Sequence, residues 1–189
     1  MAPRRALIES ELLVVQHRLG KAGALEKLVE LWEQPLYYYV RRLVNTEDEA
    51  KDVTQDIWLN VVRKIGAVRD PAAFPAWLYR VARTHAASHF RKTPSFESLP
   101  ENGSVADAAC ANVNDLPSTL NAEELHWGLS HLSPPHSECL ILHFLEGFSL
   151  EEVANIAGVP LGTVKSRIHY AKQALRDVLR QGASGNEKQ

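Results

Sequence analysis

The stretch FSLEEVANIAGVPLGTVKSRIHYAKQAL, residues 148–175, decides the fold of this chain. Ser149 and Glu152 form an S-x-x-E pattern, which predicts a capping box at the start of a short helix. Gly158 follows that helix where the chain must turn sharply, and glycine adopts a positive φ at little cost. Pro160 then opens a second helix. Two short helices joined by a glycine turn predict a helix-turn-helix.

The second of these helices has one apolar and one polar face. The apolar residues recur at spacings of three and four, as a buried face requires, at Leu161, Val164, Ile168, Ala171 and Leu175. The opposite face carries donors for phosphates and base edges, which a helix in the major groove needs. Its candidate DNA-binding residues are Thr163, Lys165, Ser166, Arg167, His169, Tyr170 and Lys172. The alternative is a plain helical hairpin with a solvated basic face.

The C-terminal part of the chain resembles region 4 of the extracytoplasmic-function (ECF) sigma factors of bacterial RNA polymerase, in the sigma-70 family. The resemblance covers residues 132–179 and is most specific in the string GVPLGTVKSRIH, followed by A-K-x-A-L-R. It implies that this part of the chain binds the promoter minus-35 element.

The N-terminal part resembles region 2 of the same family in three places. Residues 10–44 are similar to its opening helices, residues 49–65 (EAKDVTQDIWLNVVRKI) to its acidic helix with a D-x-x-Q-[DE] core, and residues 74–92 (FPAWLYRVARTHAASHFRK) to its final helix. The resemblance therefore extends over about residues 9–92 and 125–180, which leaves out only the middle and the two ends.

The acidic helix has two faces with different predicted roles. Val53, Ile57 and Val61 recur every four residues and are expected to face the core. The other face groups polar residues around one leucine, which suits docking against another protein. In the family this face grips the coiled coil of the polymerase β′ subunit, so the resemblance assigns core polymerase binding to Asp52, Gln55, Asp56 and Leu59. The alternative is an ordinary solvated face.

The last helix of the first half combines basic and aromatic side chains, which suits a melted DNA strand. The resemblance assigns this helix and the preceding loop, residues 69–75, to the minus-10 element. Its candidate residues are Arg69, Phe74, Arg80, Arg83, Thr84, Arg91 and Lys92. The family often has asparagine at the position of Thr84 and aspartate at that of His89, so we expect an unusual minus-10 preference.

The whole sequence predicts an all-α fold of two small helical domains joined by a flexible linker. Residues 1–92 and 122–182 form the domains, residues 93–121 an acidic linker, and residues 183–189 a disordered tail. The linker is rich in Ser, Pro, Asn, Asp and Ala and carries acids without bases, whereas the helices on both sides are basic. Opposite charges leave open that the two domains of the free protein pack together.

Individual helix boundaries follow from local signals. Ser10 is expected to cap a first helix that ends near Gly20. A second helix covers residues 22–43, with Pro35 expected to bend or break it. Thr46 and Glu49 predict a capping box for the third.

Several function classes find no support in the sequence. Of 189 residues, 45% are hydrophobic and 23% charged, and no apolar run is long enough to span a bilayer. We therefore expect a cytoplasmic protein without direct membrane insertion. No catalytic motif is present, so neither enzymatic activity nor a cofactor is predicted. His136, Cys139 and His143 fall near one helix face, but no fourth ligand is evident and no metal site is predicted.

Together these observations predict an alternative sigma factor that binds core RNA polymerase (β′ and β subunits) and promoter DNA. The resemblance implies an anti-sigma factor as a further partner. One alternative is a stand-alone helix-turn-helix transcriptional regulator with an N-terminal helical interaction domain. Another is an adaptor that binds polymerase without promoter specificity.

Overall fold

A computed structural model describes the backbone of residues 3–92 and 122–186 and the side chains of residues 6–89 and 124–180. All regular elements in these ranges are helical, so the predicted all-α fold is confirmed there. The helices are α1 (Pro3–Arg18), α2 (Ala24–Leu43), α3 (Glu47–Lys64), α4 (Phe74–Lys92), α5 (Ala122–Ser130), α6 (Pro134–Leu140), α7 (Leu150–Ala157) and α8 (Leu161–Asn186). The predicted linker, residues 93–121, lies outside the described residues.

Helix α2 is the centre of the N-terminal half and contacts α1, α3 and α4. It buries Leu28, Trp32, Leu36 and Val40, which recur every four residues and therefore lie on one face. Pro35 lies within α2 and does not break it. The apolar packing of this face on three helices offsets the backbone hydrogen bond that proline removes.

The two predicted caps of the N-terminal half have opposite outcomes. The Thr46 capping box is confirmed, because the Glu49 amide donates to Thr46 Oγ1 at 3.2 Å and the Thr46 amide donates to Glu49 Oε2 at 2.9 Å. The prediction that Ser10 caps α1 is wrong. Ser10 is buried inside the helix, where its hydroxyl donates to the carbonyls of Ala6 and Leu7. A serine hydroxyl satisfied one turn back does not mark a helix start.

The inward face of α3 is as predicted, since Val53, Ile57 and Val61 are all buried. Ile65 is also buried, but it begins a short 3₁₀ turn, Ile65–Ala67, so the α-helix ends before Gly66. A second 3₁₀ turn, Pro71–Ala73, leads into α4.

In the C-terminal half, the long helix α8 contacts α5, α6 and α7. Ser133 precedes α6 with Pro134 in the first turn, and the serine side chain makes no capping hydrogen bond. Helix α6 continues as a π turn, Ile141–Leu145. The backbone of α8 is helical through Asn186, and residues 187–189 at the end of the predicted tail lie outside the described residues.

The two halves pack directly on each other, through α4 against α7 and α2 against α6. The rings of Tyr79 in α4 and Phe148 before α7 lie 5.1 Å apart, edge to face. Both side chains are fully buried, and one hydrophobic core includes residues of both halves. The structure therefore has the packed arrangement that the sequence left open.

Candidate nucleic-acid interface

The helix-turn-helix forms at residues 149–175 as predicted. The Glu152 amide donates to Ser149 Oγ at 3.2 Å and the Ser149 amide donates to Glu152 Oε2 at 2.8 Å, which completes the capping box of α7. Gly158 ends α7 in the left-handed conformation, with φ 66° and ψ 34°. This turn directs α8 away from α7 and fixes which face of α8 meets solvent.

The apolar face of α8 is buried as predicted. Val164, Ile168, Ala171 and Leu175 are each at most 2% exposed, and Leu161 is half-buried. Because these residues lock the rotation of α8 about its axis, they determine which polar side chains can reach a groove of DNA.

The predicted minus-35 residues fall into three groups by burial. Lys165 and Tyr170 are exposed, and Thr163, Ser166 and His169 are half-buried. Arg167 and Lys172 are buried, so the exposed face is narrower than the sequence predicts. The helix therefore presents one exposed cation from this set to solvent.

Packing explains the burial of the two basic side chains. Lys172 Nζ lies 5.7 Å from the ring centroid of Phe144, so its ammonium rests on an aromatic face of the π turn. Arg167 lies near Arg83 of α4, and both burial and the positive charge of Arg83 lower the pKa of its guanidinium.

The predicted minus-10 residues are likewise dispersed. Arg69, Arg80 and Thr84 are exposed, and the Thr84 hydroxyl donates to the carbonyl of Arg80 at 2.9 Å. Arg83 is half-buried between the halves. The side chains of Arg91 and Lys92 lie outside the described residues.

Phe74 requires a correction as a predicted DNA contact. Its ring is fully buried and lies 5.9 Å from the ring of Trp77. A base could stack on Phe74 only if the core opened, so in this structure Phe74 is a core residue. Trp77 is half-buried and packs against the core.

The predicted polymerase-binding residues share one exposed surface of α3. Asp52, Gln55 and Asp56 are exposed, and Leu59 is 49% exposed. The sequence reasoning missed Val62, which is 52% exposed one turn beyond Leu59. Its signal was an apolar residue off the Val53–Ile57–Val61 spacing. An open groove between α3 and α4 continues this surface.

The sequence reasoning also missed a polar contact between the halves. Glu138 of α6 accepts a hydrogen bond from the Tyr39 hydroxyl at 2.8 Å and one from Arg83 Nε at 3.0 Å. Tyr39 is fully buried and Glu138 nearly so. Burial, followed by the negative charge of Glu138, raises the pKa of Tyr39 well above its usual value. No local pattern signals a contact between residues 39 and 138.

The candidate metal ligands do not form a site in the described residues. Among those residues, no three potential metal-ligating side chains come together. Cys139 is fully buried in the core, and the His143 ring Nδ1–H donates to the Phe148 carbonyl at 2.7 Å. Within residues 3–92 and 122–186, no helix combines the length and apolar character needed to cross a bilayer.

The fold and the capped helix-turn-helix define an all-helical protein of the DNA-binding class. Two family models match the chain: Sigma-70 region 2 over residues 28–94, and Sigma-70, region 4 over residues 128–177. The chain belongs to the sigma-70 family of RNA polymerase sigma factors, in its ECF group. Members of this family are transcription initiation factors.

Individual relatives agree with this assignment. RNA polymerase sigma-H factor of Pseudomonas aeruginosa is 28% identical over 90% of this chain and 94% of its own length. ECF sigma factor SigE of Mycolicibacterium smegmatis is 32% identical over 84% of this chain, which spans 63% of that relative. Among solved structures, sigma factor RpoE from Bartonella quintana, in complex with the anti-sigma factor NepR, has a TM-score of 0.62 at 26% identity, covering 82% of this chain and 96% of that one.

Proposed function

We propose that this sigma factor joins core RNA polymerase through α3 and reads a promoter through α8 and α4. The observation that carries the proposal is the exposure of the α3 surface and of the Lys165 side of α8, two surfaces that the fold leaves uncovered. The activity needs no covalent chemistry, because binding energy for the opened strand favours melting. Such a protein works in the cytoplasm and is not an enzyme.

The α3 surface is proposed as the contact with the polymerase β′ subunit. Asp52, Gln55 and Asp56 surround the half-exposed Leu59, an arrangement of an apolar centre within a polar rim that is typical of protein interfaces. Val62 enlarges the apolar centre.

The basic residues are proposed to contact promoter DNA in two places. Lys165 and Tyr170 of α8 are accessible to the minus-35 duplex, and the half-buried Thr163, Ser166 and His169 border them. Arg69, Arg80 and Thr84 are accessible to the minus-10 strand. Thr84 has no amide and its hydroxyl is already bonded to a backbone carbonyl, which supports the proposal of an unusual minus-10 preference.

An anti-sigma factor is the proposed regulatory partner. Sigma factor RpoE of Bartonella quintana, which shares this fold, was solved in complex with an anti-sigma factor. A partner of this kind would compete for the surfaces that polymerase and DNA use.

Run-off transcription with purified core polymerase, the full chain and a library of promoter templates tests the function. Template-specific transcripts that require both the chain and core polymerase are expected. Duplex binding in a shift assay without any transcript would instead favour a stand-alone regulator.

A matched pair of double variants tests the α3 surface. Asp52→Ala with Gln55→Ala removes one carboxylate and one amide from it and should weaken core binding at least about fivefold, the effect of losing about 1 kcal/mol at an interface. Glu33→Ala with Gln34→Ala removes the same groups from the exposed side of α2 and should leave the affinity unchanged. Equal affinities for the two variants would contradict this assignment.

A further inference from the structure

The buried carboxylate of Glu138 links the two halves of the molecule. Glu138 is 6% exposed and belongs to α6, but both of its described hydrogen-bond donors come from the other half. Tyr39 donates from α2 and Arg83 from α4. Since a buried carboxylate without donors is strongly destabilised, Glu138 is compensated by the packed arrangement of the two halves.

One residue from each of the two proposed DNA-binding sets lies near the contact between the halves. Arg83, from the minus-10 set, also approaches the helix-turn-helix, where its Nη1 would lie 3.8 Å from a Cβ placed on Gly158. Arg167, from the minus-35 set, is buried close enough for the charge of Arg83 to lower its pKa. One side chain proposed for each promoter element thus lies close to the contact between the two halves.

This arrangement cannot read both promoter elements at once. By their names the elements are centred about 25 base pairs apart, and at about 3.4 Å per base pair this is about 85 Å along the duplex. In the packed arrangement, by contrast, Arg83 Nη1 lies 3.8 Å from the position that a Cβ on Gly158, in the turn of the helix-turn-helix, would occupy. The two halves must therefore separate for α4 and α8 to occupy the two elements together.

We propose that the packed arrangement is a closed, inactive state held by a latch in which Glu138 accepts the Tyr39 hydroxyl and the Arg83 guanidinium, and that the latch opens before promoter binding. The need to open rests on the proposed function, whereas the latch itself does not. Arg83 has alternative partners in the two states: the carboxylate in the closed state and DNA phosphate in the open state.

Cys139 provides a native probe of opening. Its thiol is fully buried beside the latch, and burial followed by the charge of Glu138 raises its pKa to about 12. In a Cys110→Ser background it is the sole thiol, so its rate of alkylation by iodoacetamide measures how often the interface opens. The full chain is used, without polymerase or DNA.

Tyr39→Phe is the decisive variant, because it removes one donor and keeps the buried ring. Losing a hydrogen bond to a charged group should increase alkylation about tenfold, the factor that corresponds to about 1.4 kcal/mol. Tyr37→Phe, two residues earlier on α2 and at a half-buried position, is the matched control and should label at the parent rate. Circular dichroism verifies that each variant is folded.

A second variant, Glu138→Gln, and a second measurement, small-angle X-ray scattering, test the opening of the interface independently. Glu138→Gln should open the interface further, whereas Glu151→Gln, an exposed acid on α7, should not. Because Glu138→Gln also removes a charge beside the thiol, small-angle X-ray scattering must show the matching rise in radius of gyration. Parent-like alkylation in Tyr39→Phe, or a parent thiol that reacts as fast as a free peptide, overturns the latch.

Run-off transcription separates the latch from the proposed function. When the chain is titrated against a fixed amount of core polymerase, Tyr39→Phe should reach half-maximal transcription at a lower concentration than Tyr37→Phe. Faster alkylation with identical transcription curves would show that opening does not limit activity and would overturn the inactive role of the closed state. Faster alkylation with no transcript from any variant would refute the sigma activity and leave the latch standing.

Discussion

Replacing Gly158 with alanine should destabilise the turn of the helix-turn-helix through backbone conformation alone. Gly158 has φ 66° and ψ 34°, a region in which a Cβ approaches the following carbonyl oxygen at a cost of about 1–2 kcal/mol. Space is available, because the nearest atom to an added Cβ would be Arg83 Nη1 at 3.8 Å, an ordinary contact distance. The free energy of unfolding should therefore fall by about 1 kcal/mol, and Tm by about 2–4 °C for a chain of this size.

Urea denaturation followed by far-UV circular dichroism measures the loss, and Gly162→Ala is the matched control. Gly162 lies in the first turn of α8 with open space around it, so alanine there should stabilise by up to about 1 kcal/mol. Both substitutions reduce the entropy of the unfolded chain equally, so their difference isolates the left-handed turn. If both variants unfold at the same urea concentration, the conformational argument is refuted.

Three further predictions concern a cap, a buried acid and a DNA contact. Thr46→Ala should lose about 1 kcal/mol of unfolding free energy, whereas Ser133→Ala, at a cap without a side-chain hydrogen bond, should lose much less in the same denaturation assay. Burial raises the pKa of Glu146, so ionising it destabilises the folded chain increasingly as pH rises above about 4.5. Glu146→Gln should accordingly raise Tm at pH 7 and lose this advantage toward pH 4; a constant difference across that range would be inconsistent with a titrating Glu146. Lys165→Ala should reduce the salt dependence of promoter-duplex binding by about one phosphate contact, and an unchanged slope, equal to that of Lys27→Ala on α2, would exclude this contact.

Local periodicity and capping made several features predictable from the sequence. The Thr46 and Ser149 capping boxes form between residues three apart, and the left-handed Gly158 follows from the end of an amphipathic helix. A predicted helix cap is wrong when the capping side chain has another hydrogen-bond partner close by in the sequence. Ser10 has the chemistry of a cap, but its hydroxyl is satisfied one turn back inside α1.

Gly128 shows that the sequence can also leave a buried contact unsignalled. In α5, Gly128 is buried against α8, where a Cβ would come within 2.5 Å of Leu175 Cδ1. Glycine in a short helix normally predicts weak helix formation, so the sequence pattern gave no reason to expect a buried contact there. The requirement comes from the closeness of α5 and α8.

By itself, the sequence determined the all-helical architecture, the helix-turn-helix and the acidic and apolar faces of α3, since each depends on neighbours within one or two turns. Tertiary structure alone decided that Phe74 and Arg167 are buried and that Tyr39 meets Glu138 across 99 positions of the chain. A helical face can be read from spacing, but the surface that covers it belongs to another element. Burial and charge pairing across the two halves therefore emerge only when those elements pack.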